Sequence, residues 1–301
     1  MNQPRVAAIV VLFHPEIAAL SQLLTSLAPQ VDKVFLMDNT PGIVDGEPPR
    51  LLYEVPFSYH SMGGNQGIAA AQNRGIKCAM EEEFSHVLLM DQDSQPQSEM
   101  VANLLNAEAN LLARSENVAV VGPVFIDEKT HQTLPVVRHS LLSVRKLCVN
   151  PGSAEPIQAD YLIASGALIR ISVLNRIGGM RDELFIDWVD IEWGLRARAN
   201  GYQCYMVPKA VMNHNLGDAT TRVLSRNIYL HSDLRNYYIV RNATYLLNLR
   251  TMGWRWRSVT LLKIPQYIVF YSIHSNRHLY SFKLLCRAVL DGVACRMGAF
   301  R

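Results

Sequence analysis

The chain has 301 residues, of which 49% are hydrophobic, 18% are charged and five are cysteine, and its formal net charge is +3. This length and apolar content fit one large α/β unit with an appendage, whose core needs no disulfide staples. The cysteines are odd in number and form no CxxC pair. A disulfide framework and a zinc site are therefore not expected. The cysteine pattern indicates a reducing, cytoplasmic compartment.

The first apolar run, Val6–Phe13, reads VAAIVVLF and has the length of a strand. It lacks the basic leader, long apolar segment and small-residue cleavage site of a signal peptide, so we interpret it as a strand buried on both faces. Apolar stretches elsewhere stay shorter than the roughly 18 residues of a membrane span. The sequence therefore predicts no transmembrane helix.

Apolar runs and helical repeats alternate along the first part of the chain. The predicted strands are Val6–Phe13, Val34–Asp38, Tyr53–Phe57, Val87–Asp91 and Val118–Val121. Strands that alternate with helices predict an α/β fold with a mostly parallel, Rossmann-like sheet flanked by helices. Because ligands of such sheets bind beyond the carboxyl ends of the strands, Asp38, Asp91 and Asp93 are expected at the ligand edge.

The pattern loosens after Pro123, and residues 127–158 are expected to be loop. A helix is predicted to begin near Asp190. From about Arg222 the chain is helical, aromatic and basic: residues 222–301 contain 13 Lys and Arg against 2 Asp and Glu, a balance of +11 that leaves −8 for the rest. We therefore predict a first domain over residues 1–221 and a helical C-terminal region over residues 222–301.

The basic C-terminal region predicts an anionic partner. Its interleaved aromatic and cationic residues suit a helix that lies in a membrane interface, in peripheral contact with the bilayer. The alternative is a helical subdomain that packs on the sheet or on a second subunit of a homo-oligomer. Nucleic acid is not expected, since the sequence contains no recognised nucleic-acid-binding module.

The stretch VLLMDQDS places two carboxylates, Asp91 and Asp93, directly after a buried strand. Like charges this close repel each other unless a positive charge lies between them. An Asp-x-Asp pair at a strand end suits a hard divalent cation, which can also bridge the phosphates of a nucleotide. The alternative is a solvated acidic turn in which Asp93 or Ser94 caps the next helix.

A second acidic cluster, FIDWVDIEW, contains Asp187, Asp190 and Glu192 among bulky apolar residues. In a helix, Asp187 and Asp190 would share a face. A carboxylate beside apolar walls binds a proton more readily, which suits a general base. The alternative is an acidic first helical turn that the helix dipole favours. His214, after a later strand, could complete a metal site with Asp93 or could be an ordinary structural histidine.

Taken together, these motifs resemble a family-2 glycosyltransferase with the GT-A fold. The resemblance covers about Val6 to Gly217 and is carried by VVLFHPE, MDN, GGNQGIAAAQNRGI, LLMDQDSQP, IASGALIR and FIDWVDIEWGLRARANGYQ followed by NH. The forms of the glycine-rich and acidic motifs are similar to those of bacterial rhamnosyltransferases that use dTDP-rhamnose. A galactofuranosyltransferase-like site is similar in layout.

The resemblance implies an inverting enzyme with a nucleotide-sugar donor, for which we favour dTDP-rhamnose, and a cofactor that is Mg²⁺ or Mn²⁺. Asp190 would be the catalytic base, with Asp187 as a rival because Val189 stands where an acidic residue is usual. The metal would be held by Asp93, Asp91 and His214. The residues that would contact the nucleotide sugar are Asp38, Asn65, Gly67, Arg74, Asp91, Gln92 and Asp93.

The resemblance also implies an acceptor hydroxyl on a cell-surface glycan, such as a lipopolysaccharide O-antigen, or on a lipid-diphosphate-linked saccharide. Such an acceptor would bring the enzyme to the inner face of the cell membrane. Two alternatives remain at this point: a metal-dependent nucleotidyltransferase, which also uses Asp-x-Asp, and a non-catalytic nucleotide-binding protein associated with the membrane.

Overall fold

The computed structural model of the protein describes residues 3–43, 57–127, 133–139, 144–147, 149–214, 220–223, 226–229 and 231–300. Its strands are β1 (Val6–Leu12), β2 (Lys33–Asp38), β3 (Phe57–Ser61), β4 (His86–Asp91), β5 (Ser94–Pro96), β6 (Val118–Asp127), β7 (Val136–His139), β8 (Val144–Leu147), β9 (Ile157–Ala159), β10 (Ala167–Arg170), β11 (Gln203–His214), β12 (Thr220–Val223) and β13 (Arg226–Tyr229). Its helices are α1 (Ile17–Leu27), α2 (Ile68–Glu81), α3 (Met100–Ala113), α4 (Ile171–Ile177), α5 (Val189–Ala199), α6 (Asp233–Leu246), α7 (Gly253–His274) and α8 (His278–Val293).

The main sheet has the strand order β3-β2-β1-β4-β10-β6-β11-β5, and β9 pairs with β11. Strands β3, β2, β1 and β4 are mutually parallel, as are β6 and β11. Strand β10 runs antiparallel between β4 and β6. The predicted α/β fold with flanking helices and a helical C-terminal region is confirmed, and the sheet is mixed beyond its first four strands.

Two apolar layers cover the sheet, because alternate residues of its strands point to opposite faces. On β1, Ala7 and Ile9 join the core beneath α2 and the C-terminal helices, whereas Val6 and Val10 join the core beneath α1 and α3. All but one of the β1 residues are buried. This burial on both faces explains why the strand reads as a continuous apolar run.

Two expectations about the later chain were wrong. Strands β7 and β8 form an antiparallel hairpin inside the segment 127–158, which was expected to be loop. Strands β12 and β13 pair around residue 222, so helix begins only at Asp233. These short hairpins have few apolar residues, and their strand character depends on pairing that single segments do not reveal. Of the predicted third strand, residues 53–56 lie outside the described residues.

Helix α7 is fixed to the rest of the molecule by a buried carboxylate. Asp160 is 0% exposed and accepts hydrogen bonds from Arg198 Nη1 at 2.5 Å and Trp256 Nε1 at 3.0 Å. Arg198 belongs to α5 and Trp256 to α7, so one side chain joins the sheet to both helices.

Among the described residues, no helix is both long and apolar enough to span a bilayer.

We expect Asp160→Ala to lower the free energy of unfolding by about 3–5 kcal/mol, because it leaves the partly buried Arg198 guanidinium and the buried indole N–H of Trp256 without this acceptor. Urea unfolding followed by tryptophan fluorescence measures the change. Glu155→Ala is the matched control, since it breaks an exposed ion pair with Arg114 and should change little. An equally small effect of both substitutions would contradict the structural role of Asp160.

Candidate active site at the carboxyl edge of the sheet

The parallel strands bring two of the predicted residues to one edge of the sheet. Asp38 ends β2 opposite Leu12, and Asp91 ends β4 opposite Val11. Leu12 and Val11 both lie at the carboxyl end of β1, so the two aspartates flank the same strand. This agrees with the expected position of a ligand site in an open α/β sheet.

Asp38 is buried and its carboxylate is occupied by the protein. It is 1% exposed, and its oxygens accept hydrogen bonds from the Thr40 amide at 2.9 Å and the Tyr59 hydroxyl at 2.7 Å. Burial and this carboxylate raise the pKa of the Tyr59 phenol. Asp38 thus fixes the start of the loop after β2, and its contact with a nucleotide base stays a prediction.

The segment after β4 is held to the neighbouring strand ends. The Gln92 side chain accepts from the Phe13 amide at 2.8 Å and donates to the Phe13 carbonyl at 3.1 Å. The Asp91 amide donates to Ser165 Oγ at 3.2 Å. Asp91 is partly buried and Asp93 is exposed. The Asp-x-Asp pair therefore lies at the rim of the edge, accessible to a ligand.

The glycine-rich loop before α2 is organised by its asparagines. Asn65 Oδ1 accepts from the Gly67 amide at 3.0 Å and from Asn39 Nδ2 at 3.2 Å. Gly67 has φ +88°, and a Cβ there would lie 2.6 Å from the Phe185 carbonyl oxygen. Because the Ile68 amide donates to that same oxygen at 2.8 Å, only glycine lets this loop meet the turn at Phe185 so closely.

The turn before α5 has an unusual backbone. Phe185, Asp187 and Trp188 all have positive φ angles, of 66°, 60° and 66°. Such angles are costly for residues with side chains and persist only where surrounding contacts determine them. The main contact is the buried Asn242 amide of α6, whose two hydrogens are shared among the carbonyls of residues 184, 186 and 187 at 2.8–3.0 Å.

The prediction that a helix begins near Asp190 is confirmed, but Asp187 lies outside this helix, so the two aspartates do not share a helical face. Helix α5 begins at Val189, so Asp190 lies in its first turn and Asp187 lies in the strained turn before it. The Asp187 carboxylate forms an ion pair with Arg235 of α6, with N–O distances of 3.3–3.4 Å. The Phe185 and Trp188 side chains are buried instead of continuing a helix, which explains the break in the helical repeat.

Among the described carboxylates, Asp190 has an acidity that the fold changes strongly. Burial raises its pKa to about 6, and the nearby charges of Asp187 and Asp91 add to the rise. Beside it lies a cavity of about 20 Å³ whose other lining residues include Leu162, Met180 and Trp193. The structure therefore brings Asp91, Asp187 and Asp190 within electrostatic range, and a group with this pKa can take up a proton near neutral pH.

The predicted metal ligands are only partly brought together. Carboxylate oxygens such as those of Asp91 and Asp93 suit Mg²⁺ or Mn²⁺. Across the described ranges, no group of three or more His, Cys, Asp or Glu is arranged to hold a metal. The backbone of His214 pairs with Ser94, next to Asp93, but its side chain lies outside the described residues.

Arg74, predicted to contact the donor, is exposed on α2, seven residues into the helix. Its positive charge, together with burial, lowers the pKa of His60 on β3. The Arg74 charge also lowers the pKa of the Cys78 thiol, one turn further along α2, against a larger rise caused by burial, so its guanidinium acts along the body of the helix. A donor contact by Arg74 stays a prediction.

Sequence reasoning missed two residues that shape this edge, Arg235 and Asn242. They lie 48 and 55 positions after Asp187, their partner in the turn. Both belong to α6, in the region expected to be an appendage. A polar residue on the inner side of a predicted helix could have indicated such a contact, because a buried polar side chain needs a hydrogen-bond partner.

Comparison with known proteins identifies the family. The family model "Glycosyl transferase family 2" matches residues 8–178. The dTDP-rhamnosyl transferase RfbF of Shigella flexneri is 32% identical to this chain over 295 residues, which are 95% of this chain and 94% of that protein. The chain belongs to glycosyl transferase family 2. It is thus a glycosyltransferase, and the alternatives of a nucleotidyltransferase and a non-catalytic protein are set aside.

Solved structures show the same GT-A fold at low sequence identity. A structure of GalNAc-T7 with UDP, GalNAc and Mn²⁺ matches with a TM-score of 0.59 and 12% identity, over 98% of this chain and 58% of that one. S. aureus TarS 1–349 in complex with UDP-GlcNAc matches with a TM-score of 0.56 and 14% identity, over 96% of this chain and 81% of that one. The match extends through the C-terminal helices, so these helices are part of the compared architecture.

The raised pKa of Asp190 predicts a pH-dependent effect on stability. A carboxyl whose pKa is about 6 in the folded protein and lower in the unfolded chain favours folding at low pH, and this contribution is lost as the pH rises through 6. We expect Asp190→Asn to raise the melting temperature at pH 8 and to change it much less at pH 4.5. Circular dichroism melts in metal-free buffer measure both values.

The control for this measurement is Glu81→Gln, which neutralises an exposed carboxylate at the end of α2 and should give no gain at either pH. A melting temperature of Asp190→Asn that equals that of the wild type at pH 8 would mean that the Asp190 charge does not destabilise the folded protein.

Proposed function

We propose that the protein is an inverting, metal-dependent glycosyltransferase that moves L-rhamnose from dTDP-rhamnose to a hydroxyl of a cell-surface glycan or lipid-linked saccharide. The observation that carries this proposal is the convergence of Asp91, Asp187 and Asp190 at the carboxyl edge of a family-2 sheet, with the pKa of Asp190 raised to about 6. The similarity to a dTDP-rhamnosyl transferase over 95% of the chain supports the choice of donor.

The donor diphosphate is proposed to lie beside the exposed Asp-x-Asp pair. Asp91 and Asp93 would hold Mg²⁺ or Mn²⁺, with His214 as a further ligand and the diphosphate oxygens completing the set. When bound, such an ion stabilises negative charge on a departing diphosphate. The Asp91 charge adds to the rise in the pKa of Asp190, so the two carboxylates repel each other, and a bound cation would weaken this repulsion.

The acceptor hydroxyl is proposed to lie against Asp190. The carboxylate takes the hydroxyl proton while the oxygen forms a bond to the anomeric carbon. The bond from that carbon to the diphosphate oxygen breaks on the opposite face, and its electron pair leaves with dTDP. One displacement of this kind inverts the anomeric centre, and the apolar cavity beside Asp190 keeps the proton acceptor poorly solvated.

Asp187 is assigned a different part because its charge is already paired. Its carboxylate forms an ion pair with the Arg235 guanidinium and so points toward α6. We therefore propose that Asp187 positions the turn and adjusts the acidity of Asp190, while Asp190 exchanges the proton. Asn65, Gly67 and Gln92 would shape the donor side of the cleft through the backbone contacts that they make.

We expect Asp190→Asn to lower kcat by about 10²- to 10⁴-fold while donor affinity changes little, because the amide cannot accept the acceptor proton. Asp187→Asn should retain turnover. The acidic limb of its pH–rate profile should move below pH 6, since removal of a neighbouring negative charge lowers the pKa of Asp190. Steady-state kinetics over a pH series and calorimetric donor titration measure these effects. If Asp187→Asn is inactive and Asp190→Asn turns over normally, the two roles are exchanged.

The donor and the metal can be tested in one assay. We expect nucleotide release from dTDP-rhamnose to exceed that from UDP- and GDP-sugars, to require Mg²⁺ or Mn²⁺ and to stop in chelator. Asp93→Ala should raise the metal concentration for half-maximal rate by about tenfold or more, whereas Glu81→Ala, far along α2, should leave it unchanged. Full activity in chelator would exclude the metal-dependent mechanism.

A further inference from the structure

One face of α7 is exposed and almost entirely apolar. Its large exposed side chains are Trp254, Leu261, Leu262, Val269 and Ile273, with exposed fractions of 56–69%. Their spacing places them on one side of the helix, together with the exposed residues Ser258, Pro265 and Gln266. Since α7 has 22 residues, this face is about 33 Å long. Of the charged residues of α7, only Arg255, in the first turn, falls within this arc.

Helix α8 packs against α7 and extends the same kind of surface. Leu279, Phe282, Leu290 and Val293 lie on its outer side and are 48–68% exposed. Nine large apolar side chains on two adjacent helices exceed the scattered exposure that is normal for a protein surface. A surface of this extent indicates an interaction partner.

The charges around this surface are cationic. Residues 253–293 contain six Lys and Arg and one acidic residue, Asp291. Asp291 is 4% exposed and accepts from the Tyr237 hydroxyl at 2.7 Å, so it adds little negative charge to the surface. A second copy of the same face would bring like charges together, which opposes self-association. An anionic surface complements these charges.

Two of the basic side chains lie over exposed aromatic rings. The Arg255 guanidinium is 5.4 Å from the Trp254 ring centre, and that of Arg277 is 4.7 Å from the Tyr280 ring centre. Trp254 lies in the first turn of α7 and Tyr280 in the first turn of α8. Tryptophan, tyrosine and arginine at the ends of apolar helices are the residues that settle at the headgroup level of a bilayer.

The end of this surface where α7 turns into α8 adjoins the candidate active site. Arg277 of the turn approaches Asp233, the first residue of α6, at 3.9 Å. Two residues later, Arg235 pairs with Asp187. Burial raises the pKa of the Tyr271 phenol of α7 to about 12, and the Asp187 carboxylate adds to this rise. The last turns of α7 therefore lie close to the acidic turn.

We propose that the exposed face of α7 and α8 is a peripheral binding surface for an anionic lipid bilayer, which holds the Asp187–Asp190 edge next to the headgroups. The apolar side chains enter the boundary between headgroups and acyl chains, and the flanking lysine and arginine side chains contact lipid phosphates. Delivery of a lipid-linked acceptor along this surface rests on the proposed function, whereas bilayer binding itself does not.

Vesicle flotation of the full chain, without donor or acceptor, tests the surface. We expect the wild type to float with phosphatidylcholine vesicles that contain phosphatidylglycerol and much less with phosphatidylcholine alone. Leu262→Gln/Ile273→Gln should lower the partition coefficient by about tenfold or more, because it removes two side chains that enter the bilayer. Lys283→Gln should lower it less and weaken its dependence on salt.

Leu112→Gln is the control, since Leu112 is an exposed leucine on α3, away from this face. Unchanged circular dichroism melts, and the two single variants Leu262→Gln and Ile273→Gln, separate loss of binding from loss of folding. The proposal is overturned if the wild type does not float with anionic vesicles or if the double variant floats equally well. A lipid-free dimer that the double variant abolishes, with no flotation, would assign the face to a second copy instead.

The nucleotide-release assay distinguishes a failure of this proposal from a failure of the proposed function. The double variant should retain metal-dependent nucleotide release in solution, because none of its changed residues contacts the acidic edge. A wild type that floats but shows no activity with any nucleotide sugar would refute the function and leave the surface intact. Activity in solution without flotation would refute the bilayer-binding surface and leave the proposed function intact.

Discussion

The Asn242 amide is the contact on which the geometry of the acidic edge depends. It is fully buried on α6 and holds the carbonyls of a turn in which three residues have positive φ angles. Without such a partner the turn would relax, because strained backbone persists only where its surroundings determine it. The Phe185 ring stacks on Tyr238 of α6, and the Phe185 carbonyl receives the Ile68 amide of α2. The turn thus joins the glycine-rich loop, the first turn of α5 and the C-terminal helices at one point.

Electrostatic asymmetry separates the two aspartates that the sequence left as rivals. Asp187 and Asp190 are three positions apart, and each directly follows an apolar residue. Asp187 forms an ion pair with a guanidinium of α6, whereas Asp190 lines an apolar cavity. Burial disfavours the ionised form of a carboxyl, and it raises the pKa of Asp190 to about 6. The negative charge of Asp187 also contributes to the raised pKa of Asp190. The ion-paired Asp187 therefore helps Asp190 to hold a proton near neutral pH.

Local signals sufficed for the strand ends and failed for the turn. The apolar runs of β1, β2 and β4 are buried on both faces, so their ends, and with them Asp38 and Asp91, could be located from the sequence. The start of α5 near Asp190 was also predicted, but the conformation of the turn at Asp187 was not, since it is set by Asn242, 55 residues away. The β7–β8 and β12–β13 hairpins were missed for the same reason: their stability comes from pairing and not from the propensity of four-residue segments.

The C-terminal helices combine two surfaces with opposite requirements. Their inner side needs close, fixed packing: a Cβ at Gly292 of α8 would lie 2.6 Å from the Arg241 carbonyl, one residue before Asn242, so α8 approaches α6 where α6 holds the turn. Their outer side is apolar and cationic and makes no comparable contact among the described residues. Because α6 packs on both α7 and α8, a bilayer that orients the outer side also orients the turn with Asp190. The C-terminal region, which the sequence presents as an appendage, therefore fixes the conformation of the turn at the candidate active site.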